Sequence, residues 1–427
     1  MNSVGTQNPL LYRLVAAHYL VAAICFVSLA VMLLFAAGNL TGHYFHPQLL
    51  AVTHMAALGW GTLIIFGAVY QLLPVILETE LYSHKAGWIS IGLFVSGLIA
   101  LVYSFWAFQP GIHMQCGSVL LLAGISLFGA NVFLTAKQNR NDIHQEFIIT
   151  ACIWLIVTAL LGTMMVFNFR YAFLQQDHIL FLKLHAHMGL VGWFLMLITG
   201  VSSKLIPMFL VSRNQKSQLL SWSYYLINGG LALFVVDTYF SGLNMKTYGA
   251  AAIALAGIAC WLVFVADCFR SRMRKAIDLP IWHTLLSMLL LVTAIFVLPL
   301  IVSNHLRSDP RAVNYTTLYG SLLFMGWISA LVLGQTFKTL PFIVWIRHYE
   351  HLAGKDPIPM PADLYNNGLL KMQFAVFLLF TMTFYAGMFF KSAILIDVGL
   401  GCFLIVALTY LFNVMIVLFH KPKSETT

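Results

Sequence analysis

Residues 54–74 read HMAALGWGTLIIFGAVYQLLP, and residues 185–207 read HAHMGLVGWFLMLITGVSSKLIP. Both carry one ladder at one spacing: His54, Trp60, Gly67 and Pro74 in the first, His187, Trp193, Gly200 and Pro207 in the second. Residues 321–341, SLLFMGWISALVLGQTFKTLP, repeat it with Trp327, Gly334 and Pro341 but open on Ser321. A glycine precedes each tryptophan (Gly59, Gly192, Gly326), and successive copies lie about 133 residues apart. As a helix, each ladder rises ~30 Å, the thickness of a bilayer core. The chain therefore reads as a triplicated membrane unit in which two copies keep histidine where the third has serine.

Composition agrees. Of the 427 residues, 60% are hydrophobic and 9% charged, with a mean hydropathy of +0.87, which is the profile of a polytopic membrane protein. Apolar runs long enough to span fall at about 11–37, 47–77, 85–107, 112–136, 146–168, 178–210, 221–241, 246–268, 283–303, 315–346, 370–390 and 395–419. These twelve spans and three ladders imply four spans per repeat, with a ladder on spans 2, 6 and 10. The expected organisation is a single membrane domain over 1–427 with internal repeats near 10–137, 145–270 and 281–420. The first span, from Leu10 to Ala37, is too long for the apolar region of a cleaved signal peptide.

The net charge of +9 reads as a topology signal. Most Lys and Arg fall at the termini and in the even-numbered connections, including Arg270, Arg272, Arg274 and Lys275. The opposite loops hold Arg170, Lys246, Arg307, Arg311 and Lys391. The positive-inside rule then places both termini in the cytoplasm. Basic residues spread over short loops do not form the single face a nucleic acid needs. The six cysteines show no CxxC spacing, so neither a disulfide framework nor a covalently attached c-type haem is expected.

The fifteen histidines sort by side. His18, His84, His144, His283, His348, His351 and His420 fall at or near the cytoplasmic surface, where a solvated or interfacial role is expected. On the outer side, His113, Met114 and Cys116 put imidazole, thioether and thiol at one rim, a set that suits copper, with His43 and His46 in the same region. His54, His185 and His187 stand apart, because all three sit roughly 10 Å inside the outer end of their helices. Ionisable residues at that depth are costly and usually face the protein interior or a cavity. Three at one depth, two of them repeat-equivalent, point to a metal or haem.

Residues two apart on a helix are rotated by about 200°, so His185 and His187 serve different neighbours. In a pseudo-threefold ring, equivalent positions point in the same sense. His185 then looks back toward His54, while His187 faces span 10 near Tyr319, itself the kind of residue found at the outer interface.

The two histidine-bearing ladders resemble subunit I of the haem–copper oxidase superfamily, in particular the cbb-type oxidases and bacterial nitric oxide reductases. The resemblance implies an all-α polytopic membrane protein, cytochrome c oxidase subunit I-like, with twelve transmembrane helices in three pseudo-threefold four-helix arcs. It also implies a bacterial inner-membrane location. Two departures bear on chemistry. The family's His-x-His on helix 10 is replaced here by Tyr319 and Ser321, and span 7, SWSYYLINGGLALFVVDTYF, lacks the histidine pair of the copper site. Proton-channel carboxylates are also missing, since Asp237 and Asp397 lie near the outer ends and Asp267 near the inner one.

The resemblance supports pairing His54 with His185 around a b-type haem between spans 2 and 6, with His187 a further axial or metal candidate. Trp60, Trp193 and Tyr319 would line the surroundings. The ladder Trp and Gly have a plainer reading as helix-packing positions, where small residues allow close approach. The leading expectation is a haem-binding membrane oxidoreductase relative serving electron transfer or reacting with O2 or NO, in contact with a redox partner protein or further membrane subunit. If it is an enzyme, it is an oxidoreductase of oxidase or NO reductase type. The alternative is a copper-handling or nitric-oxide-stress protein on the same scaffold, and a third is an assembly subunit with relic histidines.

Overall fold

The computed structural model describes residues 9–77, 79–138, 142–213, 216–354 and 358–422. Twelve helices are long and apolar enough to cross a membrane. They are α1 (Pro9–Phe35), α2 (Pro47–Leu77), α3 (His84–Trp106), α4 (Ile112–Ala136), α5 (Ile143–Tyr171), α6 (His178–Leu210), α7 (Ser217–Ser241), α8 (Met245–Arg270), α9 (Leu279–Leu306), α10 (Arg311–Leu352), α11 (Asn367–Phe390) and α12 (Ala393–Leu418). Each expected span is present with ends shifted by a few residues. Among the described residues the only β-type pairing is an isolated bridge between Ser212 and Arg272.

The chain divides into two compact units. The first comprises Met1–Val75, Leu98–Gln109 and Ile277–Thr427. In it α1 packs on α12, α9 on α10 and α11 on α12, and the middles of α2 and α10 meet. The second comprises Ile76–Gly97 and Pro110–Ala276, where α4 packs on α5, α5 on α6 and α7 on α8.

All three ladder helices are interrupted by a π-helical stretch: Met55–Thr62 in α2, Met188–Leu195 in α6 and Leu322–Ile328 in α10. Each begins one residue after His54, His187 or Ser321 and contains the ladder tryptophan. Such stretches are rare and cluster at functional sites.

The ladder glycines explain why these helices carry one extra residue. A methyl at Gly67 would lie 2.7 Å from Cβ of His18, and one at Gly334 would lie 2.6 Å from Cβ of His283; one at Gly200 would collide with Cβ of Phe147. One π-stretch away, Gly59 abuts Cys25, Gly192 abuts Trp154 and Gly326 abuts Leu290. The facing residues are seven apart on α1, α5 and α9, whereas the glycines are eight apart on α2, α6 and α10. At about 100° per residue, eight residues of pure α-helix would turn the second glycine some 80° off the seam; absorbing one residue in a π-turn restores it. Every repeat thus opens with the same close helix pair, built on small residues.

This packing corrects one expectation. His18 and His283 are fully buried on α1 and α9, not solvated at the surface, because they are the residues that face Gly67 and Gly334.

Candidate functional site

His54 closes the first α-helical part of α2. Its Nδ1 donates to the carbonyl of Leu50, one turn back, at 2.7 Å, and its ring stacks on Phe105 with centroids 4.8 Å apart. His187 is held in the same way on α6: Nδ1 donates to the Lys183 carbonyl at 2.8 Å, and the ring packs against Phe234 of α7 at 4.8 Å. His185 turns to a different neighbour. Its Nδ1 lies 3.0 Å from the Thr158 carbonyl on α5, and a methyl at Gly162, one turn further along α5, would stand 2.8 Å from its Cε1. His185 and His187 therefore diverge, as their two-residue spacing requires.

A carbonyl oxygen only accepts hydrogen bonds, so in each neutral ring the proton sits on Nδ1 and the lone pair on Nε2. A ring N–H bonded to a backbone carbonyl is the outer-shell arrangement that orients metal-ligating histidines. All three candidates share it, and all three are half-buried. Their donor chemistry fits axial ligation of a haem iron, which takes one or two imidazoles.

Trp60 and Trp193 are buried to 0% and 1% exposure. Trp60 Nε1 donates to Ser329 Oγ of α10 at 3.0 Å, and its ring stacks on Phe26 at 4.1 Å. Trp327, the third member, is equally buried, but its Nε1 finds no partner among the described residues. Tyr319 is half-buried on α10 in the first unit. Ser321 is buried and donates to the Leu318 carbonyl at 2.8 Å, and Tyr385 of α11 donates to the Ser321 carbonyl at 3.2 Å.

On α4, His113 and Cys116 are exposed on one face while Met114 is buried on another. The helix thus separates the thioether from the imidazole and thiol. Among the described residues, no group of three or more His, Cys, Asp or Glu side chains converges to hold a metal ion.

Two acidic caps did not stand out in the sequence. Asp142 caps α5 and lies 4.0 Å from Lys204; Asp278 caps α9 and pairs with Lys338. Both lysines sit three residues before the ladder proline, and each reaches the start of the first helix of its own repeat. The available signal was an Asp just ahead of a span in the same two repeats that carry the lysine.

No protein-family profile and no curated protein matches the chain. A solved structure does: a cryo-EM structure of a heme-copper terminal oxidase dimer, at 10% sequence identity and a TM-score of 0.66, over 98% of this chain and 86% of that one. At that identity the likeness establishes the fold. This chain is an all-α, multi-pass membrane protein with the fold of that oxidase.

Proposed function

We propose that this protein is a haem-binding membrane redox protein of the haem–copper oxidase type. In this reading a b-type haem would take an axial imidazole from His185, with His54 the candidate for its second and His187, which turns to a different neighbour, the candidate for a separate haem or metal, and would serve electron transfer or a reaction with O2 or NO. Both termini lie in the cytoplasm of a bacterium, and a redox partner protein or second membrane subunit exchanges electrons with it. The observation that carries the reading is that all three membrane-depth histidines have Nδ1 tied to a backbone carbonyl, leaving the lone pair on Nε2. The solved neighbour is a heme-copper terminal oxidase, which adds weight to the haem. When bound, the group would supply a ferric–ferrous couple and, where His185 alone ligates it, a site for a small gas, tuned by its axial ligands. The chain's own residues fix the imidazole planes: Thr158 and Gly162 for His185, Leu50 and Phe105 for His54.

The test is a reduced-minus-oxidised spectrum and a pyridine haemochrome on the purified protein. Soret and alpha bands are expected, and they should vanish in His185→Ala. Absence of both bands from a protein expressed with ample haem ends the proposal. A second reading, copper handling at the outer rim, rests on His113 and Cys116 sharing an exposed face of α4. Copper found without haem, and lost in His113→Ala, would favour it.

A further inference from the structure

The close helix pair that opens each repeat puts three sets of residues in equivalent places, registered by the ladder glycines. Facing Gly67, Gly200 and Gly334 are His18, Phe147 and His283. In the second repeat, Phe147, Ile148 and Ala151 of α5 and Val201 of α6 make an apolar seam. The matching residues of the third repeat are His283, Thr284 and Ser287 of α9 and Gln335 of α10, all polar. The first repeat has His18, Tyr19, Ala22 and Ala68 there. Only the third repeat is polar throughout.

Two of these side chains pair with each other, and a third meets a glutamine of α11. Gln335 Nε2 donates to Thr284 Oγ1 at 2.7 Å. Gln373 of α11 places Nε2 3.3 Å from His283 Nε2 and 3.5 Å from the Leu333 carbonyl. His283, Ser287 and Gln373 are each 0% exposed. Yet among the described residues His283 Nδ1, Ser287 Oγ, Gln335 Oε1 and Gln373 Oε1 find no partner. A buried polar atom left dry costs about 1–3 kcal/mol, and several such atoms gathered in one place are what internal water satisfies.

The two ends of the tract differ, with a partly exposed ion pair at one and buried leucines at the other. Asp278 caps α9 and pairs with Lys338, one turn beyond Gln335 on α10. Tyr365 stands at the same end, its phenol pushed up by burial and by the charges of Asp278 and Asp363. From Asp278 to Ser287 the helix rises ~14 Å. Beyond Ser287 the seam is closed by Leu290 and Leu291, both buried.

We propose that α9, α10 and α11 enclose a hydrated polar tract that admits water and protons from the Asp278–Lys338 end as far as Ser287, with the His283 ring in exchange with it. Lys338 is then the charged partner at the mouth of a path, while its counterpart Lys204, paired to Asp142, guards an apolar seam.

The test needs no haem, so it stands or falls apart from the function proposed above. The full chain, labelled with 15N-histidine and held in lipid nanodiscs, is moved into D2O. Loss of the imidazole N–H signals is followed by solid-state NMR, with His283 assigned by its disappearance in His283→Gln. The His283 N–H is expected to exchange at least about tenfold faster than that of His18, which is equally buried but donates Nδ1 to the Leu14 carbonyl and packs against Phe66 and Tyr70. Gln335→Val and Thr284→Val, which install the apolar character of the second repeat, should slow His283 exchange by a similar factor and leave His18 unchanged. Equal protection of His283 and His18 in the wild type overturns the proposal. So does His283 exchange that neither valine substitution alters, in variants whose melting temperatures show that they are folded.

Discussion

At the scale of single residues, the ladder tryptophans offer a matched comparison. Trp60 and Trp327 are equally buried, but among the described residues Trp60 donates to Ser329 Oγ while Trp327 finds no acceptor. Trp60→Phe should therefore cost about 1 kcal/mol beyond the change in packing. Trp327→Phe removes a donor that has no acceptor and should be close to neutral. Thermal melting of the two purified variants decides it, and equal losses would show that the hydrogen bond contributes nothing. Gly162 gives a second residue-level prediction. Gly162→Ala sets a methyl 2.8 Å from His185 Cε1 and 3.3 Å from Nδ1, so the ring must leave its place against the Thr158 carbonyl. Overpacking of this kind costs about 1–3 kcal/mol. Haem content per chain, read from the Soret band, should fall, while Gly92→Ala, with open space around it, should leave it unchanged. A normal Soret band in Gly162→Ala would remove His185 from the axial set.

At the scale of elements, the π-stretches fix how each histidine is turned relative to its tryptophan. Deleting Ala57 from the Met55–Thr62 stretch would return α2 to a plain α-helix and rotate His54 by about 100° against the Gly59–Gly67 seam. The expected outcome is loss of the His54-dependent part of the haem spectrum together with a lower melting temperature. A deletion variant with both unchanged would show the π-stretch to be dispensable. The spans themselves were legible in the sequence, since long apolar runs bounded by charged loops have one physical reading in a bilayer. The π-stretches were not read from it, although the sequence held their signature: glycines eight apart facing residues seven apart. Only knowing which helix faces which turns that mismatch into geometry. The burial of His18 and His283 escaped for the same reason, because their place near a helix end reads as surface until the glycine opposite is known. The depth of His54, His185 and His187 was legible from counting along the helices. Their tautomers were not, since these depend on carbonyls such as that of Thr158, twenty-seven residues from His185 in the chain.

At the scale of the whole molecule, twelve crossings return the C-terminus to the side of the N-terminus. The basic loops then place both inside the cell, by the proposal above. The start of α9 lies on that same side, because α9 to α12 make four crossings before the chain ends. Orientation therefore decides which compartment the Asp278–Lys338 pair meets. Reporter fusions test it directly. A green fluorescent reporter joined after α12 should fluoresce, and alkaline phosphatase inserted at Ser308, between α9 and α10, should be active only if that loop is outside. The reverse pattern would overturn the orientation and open the polar tract of the third repeat to the periplasm, reversing the direction in which it would supply protons. Because the tract ends at Ser287 beneath Leu290 and Leu291, protons taken up from either side would stop part-way through the bilayer. That arrangement suits a redox centre that needs charge compensation within the membrane, and it does not suit a channel that conducts across it.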